Sequence, residues 1–193
     1  MELDRSWKRP ATVILTGAAA GSLFGHVRPS LDIDFEIQTG RSEAASLEEA
    51  IQKISEKTGI TANYSEDISH GSMIDFLGYR KTALPYRQIG KLRIKLISPE
   101  YWTLGKMGRF IEPDIRDLVK VIKKKKLAAE RLILLWGRAL RSSPLSLASR
   151  QFRDHVIFFL KTRGKTAWGK RFDAGKAIAL FRHTARIPIP EPL

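Results

Sequence analysis

A chain of 193 residues with 43% hydrophobic side chains can bury a sizeable core, as one domain or as a compact core with an appendage. It has no cysteine, which excludes disulfides, thiolate metal sites and thiol nucleophiles. The net charge of +14 is uneven: residues 1–98 carry 13 Lys+Arg and 12 Asp+Glu, and residues 99–193 carry 21 and 8. A near-neutral half with a carboxylate cluster beside a basic half suggests that the first does chemistry and the second holds a polyanion; a merely basic surface is the plainer alternative.

Residues 5–25 imitate a secretion signal, with Arg5, Lys8 and Arg9 ahead of an apolar stretch and small residues at Ala18–Ala20. Thr12, Thr16 and Gly17 interrupt that stretch, and no other run is long enough to span a membrane. A cytoplasmic protein without a membrane partner is expected.

The run Ala11–Thr16 has the length and β-branched content of a buried strand, and Gly17-Ala18 breaks it. A small-residue segment then closes at Gly25, and a strand, a glycine turn and a helix N-terminus together make an anion site. From Ser30 the chain reads Leu-Asp-Ile-Asp-Phe-Glu-Ile37, apolar and acidic residues alternating strictly. Period 2 places Asp32 and Asp34 on one face about 7 Å apart. Either Asp32, Asp34 and Glu36 form a solvated strand face, or the repelling pair Asp32 and Asp34 shares a hard cation such as Mg²⁺, which takes one or two carboxylates together with phosphate oxygens.

Residues 42–58 have helical spacing, with Ser46 and Glu49 as a capping box, Leu47, Ile51 and Ile54 as the apolar stripe and Gly59 as the stop. This helix is expected to cross over and pack on the sheet, followed by a short strand over 60–64. Residues 72–78 read as another short strand carrying Asp75. On a neighbouring strand Asp75 completes a triad with Asp32 and Asp34; the alternative is an Asp at a turn before Gly78. Residues 91–97 alternate Lys91, Arg93 and Lys95 with Leu92, Ile94 and Leu96 and make one more strand.

Ser98-Pro99-Glu100 is a helix start, and that helix runs through Trp102, Lys106 and Met107. Glu112-Pro113-Asp114 opens the next, with Ile115, Leu118, Val119 and Ile122 on one face and Lys123–Lys126 in the last turn. Helices are expected over 127–140, 145–160 and 173–181 before a Pro-rich tail over 187–193. Between the last two, Lys161–Arg171 reads as a loop in which Arg163, Lys165, Lys170 and Arg171 grip a nucleic-acid backbone while Trp168 stacks on a base. In the other reading, Trp168 plugs the core and the cations are solvated. The four histidines are isolated.

Gly17-Ala18, thirteen residues and then Asp32-Ile33-Asp34 resemble the signature of the DNA polymerase β-type nucleotidyltransferases. The run Gly25-x-x-Arg28-x-Ser30-x-Asp32 is similar to that of their bacterial toxin and abortive-infection branch, as is Lys106-x-x-Arg109 followed by Asp114-x-x-Asp117. Ala18 departs from the second Gly or Ser of the pattern, and Gly21-Ser22 offers a second frame without a strand directly before it.

The resemblance implies an α/β fold, a small mixed sheet flanked by helices over residues 1–98, with a basic helical part over 99–193. It further implies that Asp32, Asp34 and Asp75 are catalytic and bind Mg²⁺, or Mn²⁺ in its place, and that Gly17, Ala18, Ser30, Lys106 and Asp114 surround the NTP. The implied reaction is transfer of a nucleoside monophosphate with release of pyrophosphate. With the charge, it points to an RNA acceptor, tRNA in particular, and to a toxin opposed by an antitoxin protein. A small-molecule nucleotidyltransferase and a non-catalytic RNA-binding protein with a decayed site stay open.

Overall fold

The computed structural model describes residues 7, 9–25, 32–40, 43–65, 67–68 and 73–187. They form an α/β structure around a five-stranded mixed sheet. Its strands are β1 (Ala11–Leu15), β2 (Asp32–Gln38), β3 (Thr61–Ser65), β4 (Leu84–Ile89) and β5 (Leu92–Leu96), in the spatial order β3-β2-β1-β5-β4. β1 runs antiparallel to β2 and parallel to β5, β3 joins β2 in parallel, and β4 and β5 form an antiparallel hairpin.

The alternation along the strands sorts residues between two layers, because successive side chains leave opposite faces. Val13, Phe35, Ile37 and Leu92 face α2 (Ala44–Thr58), burying Leu47 and Ile51. Ile14 faces the other way, into the larger core. Asp32, Asp34 and Glu36 share that second side with α1 (Gly17–Gly25), and of the three only Glu36 is buried. Glu36 is fully buried and accepts from Arg80 Nε at 2.6 Å, which corrects the solvated-face reading at that position.

A short helix α3 (Tyr79–Thr82) precedes β4, and the helical half begins after β5 with α4 (Pro99–Arg109), followed by α5 (Glu112–Lys124), α6 (Ala129–Ser142), α7 (Leu147–Thr162), α8 (Gly164–Trp168) and α9 (Ala174–Ala185). One buried cluster runs from Ile14, Ala20 and Phe24 through Trp102, Met107 and Leu118 to Trp136, Phe159 and Phe181. The packing is therefore continuous across residue 98.

Three local expectations change, and one strand, β4, is unexpected. Ser46 lies inside α2, whose N-cap is Glu43, so no capping box forms there. Residues 73–78 are turn and not strand: Met73 and Leu77 have left-handed backbones, φ 55° and 51°, which break an extended run. β4 carries no sequence signal, since Pro85 interrupts it and its side chains stay mostly exposed, as an edge strand allows. Residues 164–168 are helical, so the segment 161–171 is not a loop. Among the described residues, no helix is long and apolar enough to cross a membrane.

Candidate active site

The site is assembled where β1 ends. Thr16 donates its backbone N–H to Asp34 O at 2.9 Å, and α1 begins at once with Gly17. Gly17 has φ 55°, and a Cβ there would overlap the Asp34 carboxylate. Glycine is thus required twice, for its left-handed backbone and for the close approach of the acid. That approach brings a carboxylate beside the N-terminus of α1, where amide N–H groups and the helix dipole favour negative charge.

Register sets the next contact. Asp34 lies opposite Asn63 on β3, whose Nδ2 donates to Asp32 Oδ2 at 3.2 Å and to Asp34 Oδ1 at 3.3 Å. One neutral amide therefore bridges an oxygen of each carboxylate, so the two acids converge on a common point.

α4 closes the opposite wall. Trp102 donates from Nε1 to Gly17 O at 2.7 Å, fastening α4 to the junction of β1 and α1. One turn on, Lys106 is only 4% exposed; its Nζ lies 5.3 Å from the Trp102 ring centre and 2.8 Å from Asp114 Oδ1, with Asp117 Oδ2 at 3.5 Å. Arg109 forks onto the same carboxylate, Nε to Oδ2 at 2.6 Å and Nη2 to Oδ1 at 2.7 Å. This geometry depends on the corner at Phe110, whose left-handed backbone (φ 53°) ends α4 and returns the first turn of α5 beneath it. His155 stacks on Phe110 at 4.6 Å and holds the corner against α7.

Burial alone would push the Asp114 carboxyl up, but the hydrogen bonds and charges of Arg109 and Lys106 outweigh it and hold Asp114 below the ordinary carboxylate range. Arg109 is raised, first by its hydrogen bond to Asp114 and also by the charges of Asp114, Asp34 and Asp32. The guanidinium thus couples the buried network to the open carboxylate pair.

These walls enclose a cavity of about 660 Å³, lined among others by Gly17, Ala18, Asp32, Asp34, Lys106 and Arg109. No family model matches the chain, and neither a curated protein nor a solved structure matches it. The case for function therefore stands on this geometry and on the resemblance of the short motifs.

Five expected site residues, Gly17, Ala18, Asp32, Asp34 and Lys106, line this one cavity. Asp114 sits behind Lys106 and orients it instead of facing the space. Ser30 lies outside the described residues. Asp75 is not among the cavity's lining residues: it occupies a turn, accepts from Leu77 N at 2.6 Å through its own Oδ1, and donates its backbone N–H to Ser143 Oγ. It does not stand on a strand beside Asp32 and Asp34.

Trp168 is half-buried, donates from Nε1 to Leu127 O at 2.9 Å and stacks on Phe172 at 4.9 Å, so its ring is engaged with protein and not displayed for a base. Arg163 lies 3.7 Å from Glu112, while Lys165, Lys170 and Arg171 are exposed. Asn63 and Trp102 are site residues that the sequence did not announce. Asn63 requires the register of β3, whereas Arg109, three residues after Lys106 on one helix, was visible in the motif.

Mg²⁺ fits the donors present. Among the described residues no group of three His, Asp or Glu side chains is placed to hold a metal, but two convergent carboxylates are what Mg²⁺ uses when phosphate oxygens and water complete its shell.

Proposed function

We propose that the chain is a nucleotidyltransferase of the polymerase β type that moves a nucleoside monophosphate from an NTP to a hydroxyl of RNA, tRNA in particular. The observation that carries this reading is the shared cavity: Asp34 stands against the N-terminus of α1 with Asp32 beside it, and Lys106 lines the same space. A triphosphate brings negative charge, and the cavity answers with first-turn amides at Gly17 and Ala18 on one side and cations at Lys106 and Arg109 on the other.

Asp32 and Asp34 would hold Mg²⁺ or Mn²⁺, which would offset charge on the phosphates. Asn63 keeps the two carboxylates convergent, and Asp114 with Asp117 keeps Lys106 extended toward the cavity. The acceptor oxygen would form a bond to the α-phosphorus as the bond to pyrophosphate breaks, the hydroxyl proton passing to water in the open cavity, and Lys106 and Arg109 would stabilise the leaving charge. The basic half supplies the affinity for RNA, in keeping with a cytoplasmic, toxin-like enzyme restrained by an antitoxin.

The test is incubation with each α-labelled NTP, Mg²⁺ or Mn²⁺ and unfractionated tRNA. Label on RNA with stoichiometric pyrophosphate is expected. Label on an aminoglycoside but not on RNA would move the chain to the small-molecule class, and no transfer from any NTP would sink the reading.

A further inference from the structure

The second large cavity lies between α6 and α9, far along the chain from the carboxylates. Gly137 of α6 meets α9 so closely that a Cβ there would lie 2.6 Å from Thr184 Cβ, which lets the two helices approach tightly. The cavity, about 920 Å³, is lined by Arg138 and Arg141 from α6 and by Arg182, His183 and Arg186 from the end of α9. α9 contains no acidic residue, and Glu130 is the one acid on α6. Arg182 Nε is buried and finds no acceptor among the described residues. Arginines gathered with so few acids repel one another, and their planar forks suit phosphate oxygens.

Arg138 also lines a neighbouring cavity, together with Lys125 and the first turn of α4 from Pro99 to Tyr101, where Arg131 is paired with Glu100 at 3.3 Å. Lys125 therefore carries the cationic surface beyond the first cavity, while the charge of Arg131 is already answered by Glu100. That surface leads to the N-terminal end of the helix whose later residues Trp102 and Lys106 line the carboxylate cavity, about 10 Å away at the rise of an α-helix.

We infer that the arginine-lined cavity between α6 and α9, continued by Lys125, is the site that holds the sugar-phosphate backbone of the RNA acceptor. The inference deepens the reading above and rests on its RNA acceptor. It places the main grip on α6 and α9 and not on residues 161–171, where Trp168 is committed to the core. Backbone contacts of this kind are independent of base sequence and release counterions, so affinity falls steeply with salt.

The experiment measures anisotropy of fluorescein-labelled tRNA with the full-length protein across a salt series, without NTP or divalent metal. Because the readout needs no catalysis, an inactive chain can pass it and an active transferase can fail it. Arg138→Glu with Arg182→Glu is expected to weaken binding roughly tenfold or more, and Arg138→Gln with Arg182→Gln, the milder change, to lower the slope of log K against log salt by about 2. Thermal melts by circular dichroism confirm that each variant is folded. Reversal at Lys165 and Lys170 is expected to weaken binding less. An unchanged salt slope in the folded Gln variant, a larger loss from Lys165 and Lys170, or displacement of tRNA by polyglutamate at equal charge would each overturn the assignment.

Discussion

Two acid pairs lie on either side of one helix, and their surroundings differ. Asp114 and Asp117 are buried at the start of α5, where Asp114 takes hydrogen bonds from both Lys106 and Arg109. Asp32 and Asp34 line an open cavity, bridged by a neutral amide, with Asp34 pressed against a glycine. The closed pair spends its charge on cations supplied by the protein, which is how a fold satisfies buried carboxylates. The open pair faces the cavity, and the charge of Arg109 reaches it from the other wall. Carboxylates of one chemistry thus stand in different settings, one closed over by cations in direct contact and the other lining a cavity.

The sharpest way to break this contrast is Asp34→Asn. Removal of one metal-binding carboxylate should lower transfer by about 10³-fold, since metal-based charge stabilisation contributes several kcal/mol. Melting temperature should hardly change, because one of two like charges is lost. A normal rate in the assay with labelled NTP would reduce the open pair to a polar strand face.

On the closed side, Asp114→Asn should destabilise the fold by about 3 kcal/mol, the low end for breaking a buried ion pair, because Asp117 stays within 3.5 Å of Lys106. Urea titration measures this loss. A neutral result would mean that Lys106 finds another partner and that the network does not set its position.

Acid should distinguish the same two regions more gently. Asp114 titrates lower in the folded chain than in the unfolded one, so its stabilisation is complete above the ordinary carboxylate range and is lost as pH falls through the folded value. Urea midpoints followed downward from neutral pH should fall more steeply in the native chain than in Asp114→Asn. Parallel curves would show that other groups govern the acid limb.

The smallest expected effect concerns Trp168. Trp168→Phe removes the hydrogen bond to Leu127 O while keeping an aromatic ring, so stability should drop by about 1 kcal/mol. Affinity for tRNA should hold. A selective loss of RNA binding with an unchanged melt would return the ring to the nucleic-acid surface.

The sequence reveals most where structure depends on near neighbours. β1, β2 and α2 follow from period 2 and period 3.6, and the cavity residues from Gly17 to Asp34 follow from one strand, one turn and the next strand. What escapes depends on pairing at a distance. Glu36 alternates with apolar residues like its neighbours Asp32 and Asp34, yet Arg80, 44 positions away, takes it out of solvent. Asp75 sits in an apolar stretch that resembles a strand, and the left-handed backbones at Met73 and Leu77 turn that stretch instead. Asn63 carries no motif and matters only because β3 pairs in register with β2. Lys106 and Asp114 share a recognisable spacing, but their contact is made by the corner at Phe110.

The uninterrupted core bears on how the chain can be dissected. Ile14 and Phe24 belong to the same buried cluster as Trp102, Leu118 and Phe181, so a fragment ending near residue 98 would display that apolar surface to water. The sheet half finishes only one of its two faces, the one covered by α2; the other is completed by the helices that follow residue 98. Shared burial of this kind is expected to make the sheet and the helices unfold together.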